Sequence, residues 1–325
     1  MFDFIIKPIG SFFLWMYNTI AFQNYGLAIV YFTVIVQLLM IPLTIKRCKS
    51  TILMQKINPQ LQHIQKKYAN DQKRMQEEQQ KLYDSIGYNP MSGCGPLFIQ
   101  LPVIMILWQV IGSPLKYVFN WSTGALEKAC TLISGAVEGL ELTTKTAYYQ
   151  ITIMLHKDAL PAEFFTEFGI ENNLFNMDLF GMNLGRIPDW HPDVVLGPQW
   201  KIYLPLFILA IASAALSFFM NKINMKSTQG QQAEGQNQAM NGCMSIYLPL
   251  ISLLLAFKFP VGLSIYWMTS TVVSTGLQLV LMKYAKAEDA KAEIARQQEL
   301  ELKKQIIEEQ NRAKQEESSQ EEKND

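Results

Sequence analysis

Acidic side chains are missing from the long apolar runs of this 325-residue chain, which occupy about 25–45, 96–111, 202–220, 244–259 and 261–282. Ion-coupled transporters place ionisable groups at mid-membrane depth and often show repeated halves. Neither feature is visible, so a solute transporter is the weaker reading. Cysteine is scarce: Cys48, Cys94, Cys130 and Cys243 include no pair at metal-site spacing. The three histidines, His63, His156 and His191, are scattered along the chain, and there is no Gly-Lys-Ser/Thr loop to cradle a phosphate. These absences leave an enzyme or an ATP-driven pump without support; no catalytic residue, cofactor or metal is expected.

Apolar residues make up 49% of the chain and charged ones 17%, and the 28 basic and 28 acidic residues cancel, so their distribution matters more than their sum. Each apolar run is near the length needed to cross hydrocarbon as a helix. Lys46, Arg47, Lys49, Lys56, Lys66, Lys67, Lys73, Arg74 and Lys81 crowd the loop after the first run, and Lys222, Lys226, Lys283 and Lys286 follow the third and fifth. Cytoplasmic loops retain such bases, which predicts five spans in a cell membrane, with the N-terminus outside and the C-terminus in the cytoplasm. Residues 112–200, where acids outnumber bases, then lie outside, with Cys130 as the one cysteine there.

The expected organisation is an interfacial helix over 1–22, a first span over 23–45, a cytoplasmic helical hairpin over 46–93 and a second span over 94–111. An extracytoplasmic insertion over 112–200, a third span over 201–220 and a cytoplasmic loop over 221–243 follow, then the fourth and fifth spans within 244–282 and a charged tail over 283–325. Asp3, Lys7, Pro8, Gly10 and Asn18 interrupt the first segment, and no small-x-small cleavage site stands near Ala21, so it reads as a surface helix rather than a span or a cleaved leader. In the hairpin, Ile57, Leu61, Ile64 and Tyr68 recur at helical spacing, Asn70-Asp71 makes a turn and cap, and Gly87 ends the second arm.

Within the membrane the informative side chains are polar. Gln37 sits in YFTVIVQLLMIPL among apolar neighbours, and an amide there needs a partner or water. Tyr266, Ser270, Ser274 and Gln278 recur every four residues, making one polar stripe widened by Trp267, Thr269 and Thr271. The alternatives are a hydrogen bond that only joins helices, and hydroxyls bonded to the carbonyl one turn back, as expected for Ser213 and Ser217. Residues 244–259 make a helix of roughly 24 Å against hydrocarbon of roughly 30 Å, so a thinned bilayer is expected beside the stripe.

Four separated motifs, NYGLAIVYFTVIVQLLMIPLTIK, the hairpin, GYNPMSGCGPLFIQLPVIMILW and LPLISLLLAFKFPVGLSIYWMTSTVVSTGLQ, resemble in content and order the YidC-type membrane protein insertases, the bacterial branch of the Oxa superfamily. The resemblance covers residues 1–111 and about 200–284. It implies an all-α polytopic membrane protein whose five transmembrane helices enclose a hydrophilic groove open to the cytoplasm and lipid but closed to the outside, with the cytoplasmic hairpin as a flexible element that contacts substrate or the translocation machinery. By the same resemblance Gln37, Gln100, Tyr266, Trp267, Ser270 and Ser274 line the substrate groove. The family carries an arginine where this chain has Gln37, which keeps a hydrogen-bonding group and removes a fixed charge.

The implied function is insertion and folding assistance for newly made membrane proteins without nucleotide hydrolysis. The partners implied are nascent membrane proteins and the lipid bilayer, with the Sec translocon and the ribosome as open candidates and no direct nucleic-acid readout. The tail KAEDAKAEIARQQELELKKQ is acidic on balance, unlike a basic ribosome-binding tail, and the 112–200 segment exceeds the family's usual outer loop. A membrane scaffold that recruits partners through the outer segment is the main rival.

Overall fold

The computed structural model describes residues 3–87, 105–106, 108–171, 173–227, 250 and 253–321, with side chains described to 224 in one long helix and to 303 in the last. Most of the expected second span and much of the fourth, with Gln100, lie outside the described residues.

Helix α1 (Asp3–Thr19) buries Ile6, Gly10, Phe13, Met16 and Tyr17 at helical spacing, while Phe4, Phe12 and Trp15 on other faces stay exposed. Gly10 permits close approach: a Cβ there would collide with the Tyr117 carbonyl. Helix α2 (Tyr25–Leu39) starts at Asn24, whose side chain accepts a hydrogen bond from the Leu27 amide at 3.0 Å.

The sequence predicts one span through residue 45, but α2 stops at Leu39 and α3 (Ile41–Lys67) leaves at 55°. Pro42 supplies the reason. It sits in the first turn of α3, offers no amide to the carbonyl one turn back and crowds it, so the ladder of α2 cannot continue past Met40. Residues 41–45 therefore belong to α3, which continues through Pro59 to Lys67. Asp71 caps α4 (Gln72–Ser85) by accepting from the Arg74 amide at 3.0 Å, and Gly87 follows at φ +62°. No residue of α4 is buried.

Two helices are long and apolar enough to cross a membrane: α10 (Trp200–Ser227) through Trp200–Asn224, and α11 (Val261–Glu321) through its first part. The bent α2–α3 pair makes up to three among the described residues. The fifth span and the charged tail prove to be one 61-residue helix, roughly 90 Å long. Where α11 leaves its apolar part, Cys48 and Ile52 of α3 pack against Met282 and Ala285. Lys49 pairs with Glu288 at 2.9 Å, and Lys56 with Asp289 at 2.9 Å and Glu293 at 3.5 Å.

The 112–200 segment is folded. Short helices α5 (Pro114–Tyr117), α6 (Thr123–Ala136), α7 (Tyr149–Leu155), α8 (Ala162–Phe168) and α9 (Pro192–Val195) surround a core containing Trp121, Leu126, Ile133, Ile153 and Phe164. Antiparallel β1 (Asp178–Leu179) and β2 (Met182–Asn183) pair Asp178 with Asn183 and Leu179 with Met182. Of the aromatics the sequence left open between a small core and the membrane surface, Phe164 and Phe165 are core, Tyr148 and Tyr149 are half-buried, and Trp190 is exposed. This core is continuous with the buried faces of α1, α2 and the start of α11.

Candidate functional site

Polar side chains run along α11 on two flanks, one facing α2 and one facing α10, and among the described residues the members of this seam that touch across helices are amides and hydroxyls. Gln37, on the buried face of α2, is only 7% exposed and donates from Nε2 to Ser270 Oγ of α11 at 2.7 Å. Asn224 Nδ2 of α10 donates to Thr275 Oγ1 of α11 at 3.2 Å. Ser264, Thr275 and Gln278 are buried on α11, as are Thr33 on α2 and Ser213 on α10. Helical spacing explains the alignment: Thr33 and Gln37 are four apart, and Ser213, Ser217, Asn221 and Asn224 follow one another by four, four and three.

Several hydroxyls are satisfied within their own helix. Thr33 Oγ1 donates to the Ile29 carbonyl at 2.6 Å, Ser213 Oγ to Ala210 at 2.7 Å, Ser217 Oγ to Ser213 at 2.9 Å and Ser274 Oγ to Thr271 at 3.3 Å. Such back-bonding leaves oxygen lone pairs free to accept from a visitor. A neutral seam of amides and hydroxyls can exchange hydrogen bonds with a polar chain.

The expected groove residues are not all brought together. Gln37 and Ser270 touch, and Ser274 lies one turn further along. Tyr266 is buried, one turn from Ser270 toward the start of α11. Trp267 is half-buried and meets Phe259 edge-on at 5.8 Å; Phe259 meets Trp108 at 5.0 Å in the same manner. Trp267 thus belongs to an aromatic cluster, while Gln100 lies outside the described residues. Sequence reasoning passed over Thr33, Ser264, Asn224 and Thr275. Their signal was present: each lies on a helix face already marked by another polar residue.

Among the described residues no group of three or more His, Cys, Asp or Glu side chains is placed to hold a metal ion. Cys48 and Cys130 are free and buried.

The family model described as 60Kd inner membrane protein matches residues 15–289, which includes every element of this seam. The chain belongs to that family. Among its relatives are the membrane protein insertase YidC 2 of Bacillus anthracis, 24% identical over 89% of this chain and 84% of its own length, and the ALBINO3-like protein 1 of Arabidopsis thaliana chloroplasts, 30% identical over 82% of this chain and 44% of its own. A 97-residue stretch is 44% identical to the membrane protein insertase YidC of Clostridium tetani, covering 30% of this chain and 40% of that protein. The chain thus matches less than half of two of these relatives and most of the third. The YidC-type resemblance read from the motifs is the family the comparison gives.

Proposed function

We propose that this member of the 60Kd inner membrane protein family is a membrane protein insertase and chaperone acting on newly made membrane proteins in the cell membrane, without nucleotide hydrolysis. The observation that carries the proposal is the Gln37–Ser270 hydrogen bond between α2 and α11. It stands in a polar seam through otherwise apolar helices, in a family whose relatives are named insertases.

The physical task is limited. Burying an apolar span is downhill, since a central Leu or Ile returns about 0.3–0.6 kcal/mol, whereas a central Arg, Lys or Asp costs about 2.5–3.5 kcal/mol. The barrier is therefore the passage of the span's polar flank. A hydrogen bond between membrane helices contributes about 0.6–1.7 kcal/mol, so Gln37 and Ser270 can release one another and bond a passing polar flank at little cost. The apolar segment of the client would move sideways into lipid. With Gln37 at the family's arginine position, the seam attracts through hydrogen bonds and not through fixed charge, so acidic flanks receive no electrostatic preference.

In this reading the N-terminus is outside, the α3–α4 hairpin is the cytoplasmic element that meets clients, and Gln100 and Ser274 extend the contact surface. Reconstitution of the full chain in vesicles with a single-span client tests the function: insertion above the protein-free rate without added nucleotide supports it, and insertion at the protein-free rate rejects it.

A further inference from the structure

Among the described residues the two most exposed large apolar side chains are Phe180 at 92% and Phe22 at 81%. Both also have positive φ, 51° and 52°. For a bulky side chain that left-handed region is an outlier. Phe22 lies in the turn between α1 and α2, where Gln23 shares the conformation at φ 56°. Phe180 forms the tip of the β1–β2 hairpin with Gly181 at φ 78°, the two-residue turn that matches strand twist. Asparagine or glycine fits the first position of such a turn with less strain. A phenylalanine there satisfies neither the backbone nor, if water surrounds it, the ring.

The neighbours of the hairpin fix its height. The Tyr25 amide at the start of α2 donates to the Asn176 carbonyl at 3.3 Å, and the amides of Val261 and Gly262 at the start of α11 donate to the carbonyls of Arg186 and Leu184, both at 2.9 Å. The first amides of a helix have no partner within it, so these bonds complete both helix ends. Leu179 lies against α2 at Gly26, where a Cβ would come within 2.6 Å of Leu179 Cδ2, and β2 lies against α10. Phe175, Met177 and Leu184 are buried while Phe180 is not, so one side of the hairpin is packed on protein and its tip is left bare. That tip stands level with the first turn of α2, where an apolar helix begins. Trp200, 48% exposed, opens α10, another of the helices long and apolar enough to cross a membrane. Exposed aromatics at the ends of spans belong to the membrane interface. The tip sequence Leu179 to Met182 carries no charge, and Asp178 at its base limits the depth to the boundary of headgroups and acyl chains.

We propose that the β1–β2 hairpin is a membrane-dipping loop: Phe180, with Phe22 at the same level, inserts its ring among the lipids beside the start of α2 and seats the 112–200 segment on the bilayer. Lipid is the occupant because the bare tip is continuous with helices whose apolar sides must meet hydrocarbon. One ring at a tip and one in a turn are also too small an area for a stable protein interface. The strained backbone is then accounted for, since it carries a ring into lipid from a hairpin otherwise packed on protein. In the orientation proposed above, the leaflet is the outer one. The inference needs α2 and α10 to be spans and does not depend on insertion activity.

The test uses the full-length chain in phosphatidylcholine vesicles, with its own cysteines replaced by alanine and a nitrobenzoxadiazole fluorophore on Phe180→Cys or, in a second protein, on Phe22→Cys. Both rings are largely exposed, so neither substitution removes packing from the core. The loop predicts that lipids brominated near the headgroup end of the acyl chain quench the Phe180→Cys probe about twofold or more, as a depth of about 5–10 Å requires, and that iodide in the water quenches it less. The Phe22→Cys probe is expected to behave alike. Quenching of the Phe180→Cys probe by iodide and not by brominated lipid would place the tip in water and overturn the loop. Protection from both quenchers would put protein on the tip, a second copy or another partner, and overturn it as well. Quenching by brominated lipid at Phe22→Cys alone would leave α1 and α2 on the membrane and remove the hairpin from it. Client insertion measured on the same vesicles keeps the two readings apart: lipid quenching without insertion overturns the insertase reading while the loop stands, and insertion without lipid quenching does the reverse.

Discussion

Gln37 of α2 and Ser270 of α11, 233 residues apart in sequence, are joined by a 2.7 Å hydrogen bond in the interior of the helix bundle. Their partnership is direct and uncharged, so losing either member leaves a polar group exposed to apolar neighbours. Gln37→Leu is expected to slow insertion of clients with charged outer flanks about 5- to 30-fold, the kinetic equivalent of about 1–2 kcal/mol for one lost hydrogen bond. Gln37→Arg is expected to retain more activity, since it keeps donors at the same depth. Initial insertion rates in vesicles compare them, and equal rates for both variants would reduce Gln37 to a packing role.

The Asn224–Thr275 contact at 3.2 Å joins α10 to α11 near the other end of the seam. A double-mutant cycle with Asn224→Ala and Thr275→Val, measured by unfolding in mixed detergent, should give a coupling of about 0.6–1.7 kcal/mol. Additive losses would mean that the two side chains do not cooperate.

Beyond its apolar part, α11 is held to α3 by Lys49–Glu288 and by Lys56 with Asp289 and Glu293, all more than a third exposed. The hydrogen bond to Asp289 raises the Lys56 pKa above its ordinary value. Its contribution is therefore complete below that ordinary value and fades only as pH climbs through the raised one. Salt, not pH, is the effective lever near neutrality, because exposed pairs are screened and worth about 0.2–1 kcal/mol. Spin labels on α3 and α11 should show greater separation in Lys56→Glu, and restoration in Lys56→Glu with Asp289→Lys. A distance that ignores both changes would mean that Lys56 is not needed to hold the two helices together and that Lys49–Glu288 and the apolar packing of Cys48 and Ile52 suffice.

Cys130 lies in the core of the 112–200 segment at 3% exposure, and burial, aided by the charge of Glu127, pushes its thiol pKa above the ordinary 9.0. The folded state then holds its proton more tightly than the unfolded one, so this group's stabilisation is complete below pH 9.0 and declines as pH rises through the higher folded value. Thiol reagents should leave Cys130 unmodified at neutral pH and react with it only as the core of the 112–200 segment loosens in alkali or denaturant, a course that mass spectrometry follows. Prompt modification at pH 7 would contradict a packed core there.

Much of this organisation is legible in the residues. Apolar runs announce α10 and the start of α11, Asp71 and Gly87 mark the limits of α4, and spacing by three and four exposes the stripe on α11. The bend at Met40 was less legible: Pro42 warns of a broken hydrogen bond, but the apolar run continues through it and masks the change in direction. The union of the last span with its tail was hidden for the opposite reason, since composition shifts at Lys283 while helical propensity does not. The seating of residues 174–187 on α2 and α11 depends on pairings distant in sequence, such as Leu184 with Gly262, which no local pattern encodes.

The central claim is that the seam around Gln37 and Ser270 receives unfinished polypeptide, and a photocrosslinker placed at Ser270 tests it most directly. With a stalled nascent membrane protein present, the account predicts an adduct to the client's polar flank that disappears once insertion is complete. Adducts to lipid or to α2 alone, with no client captured, would contradict it.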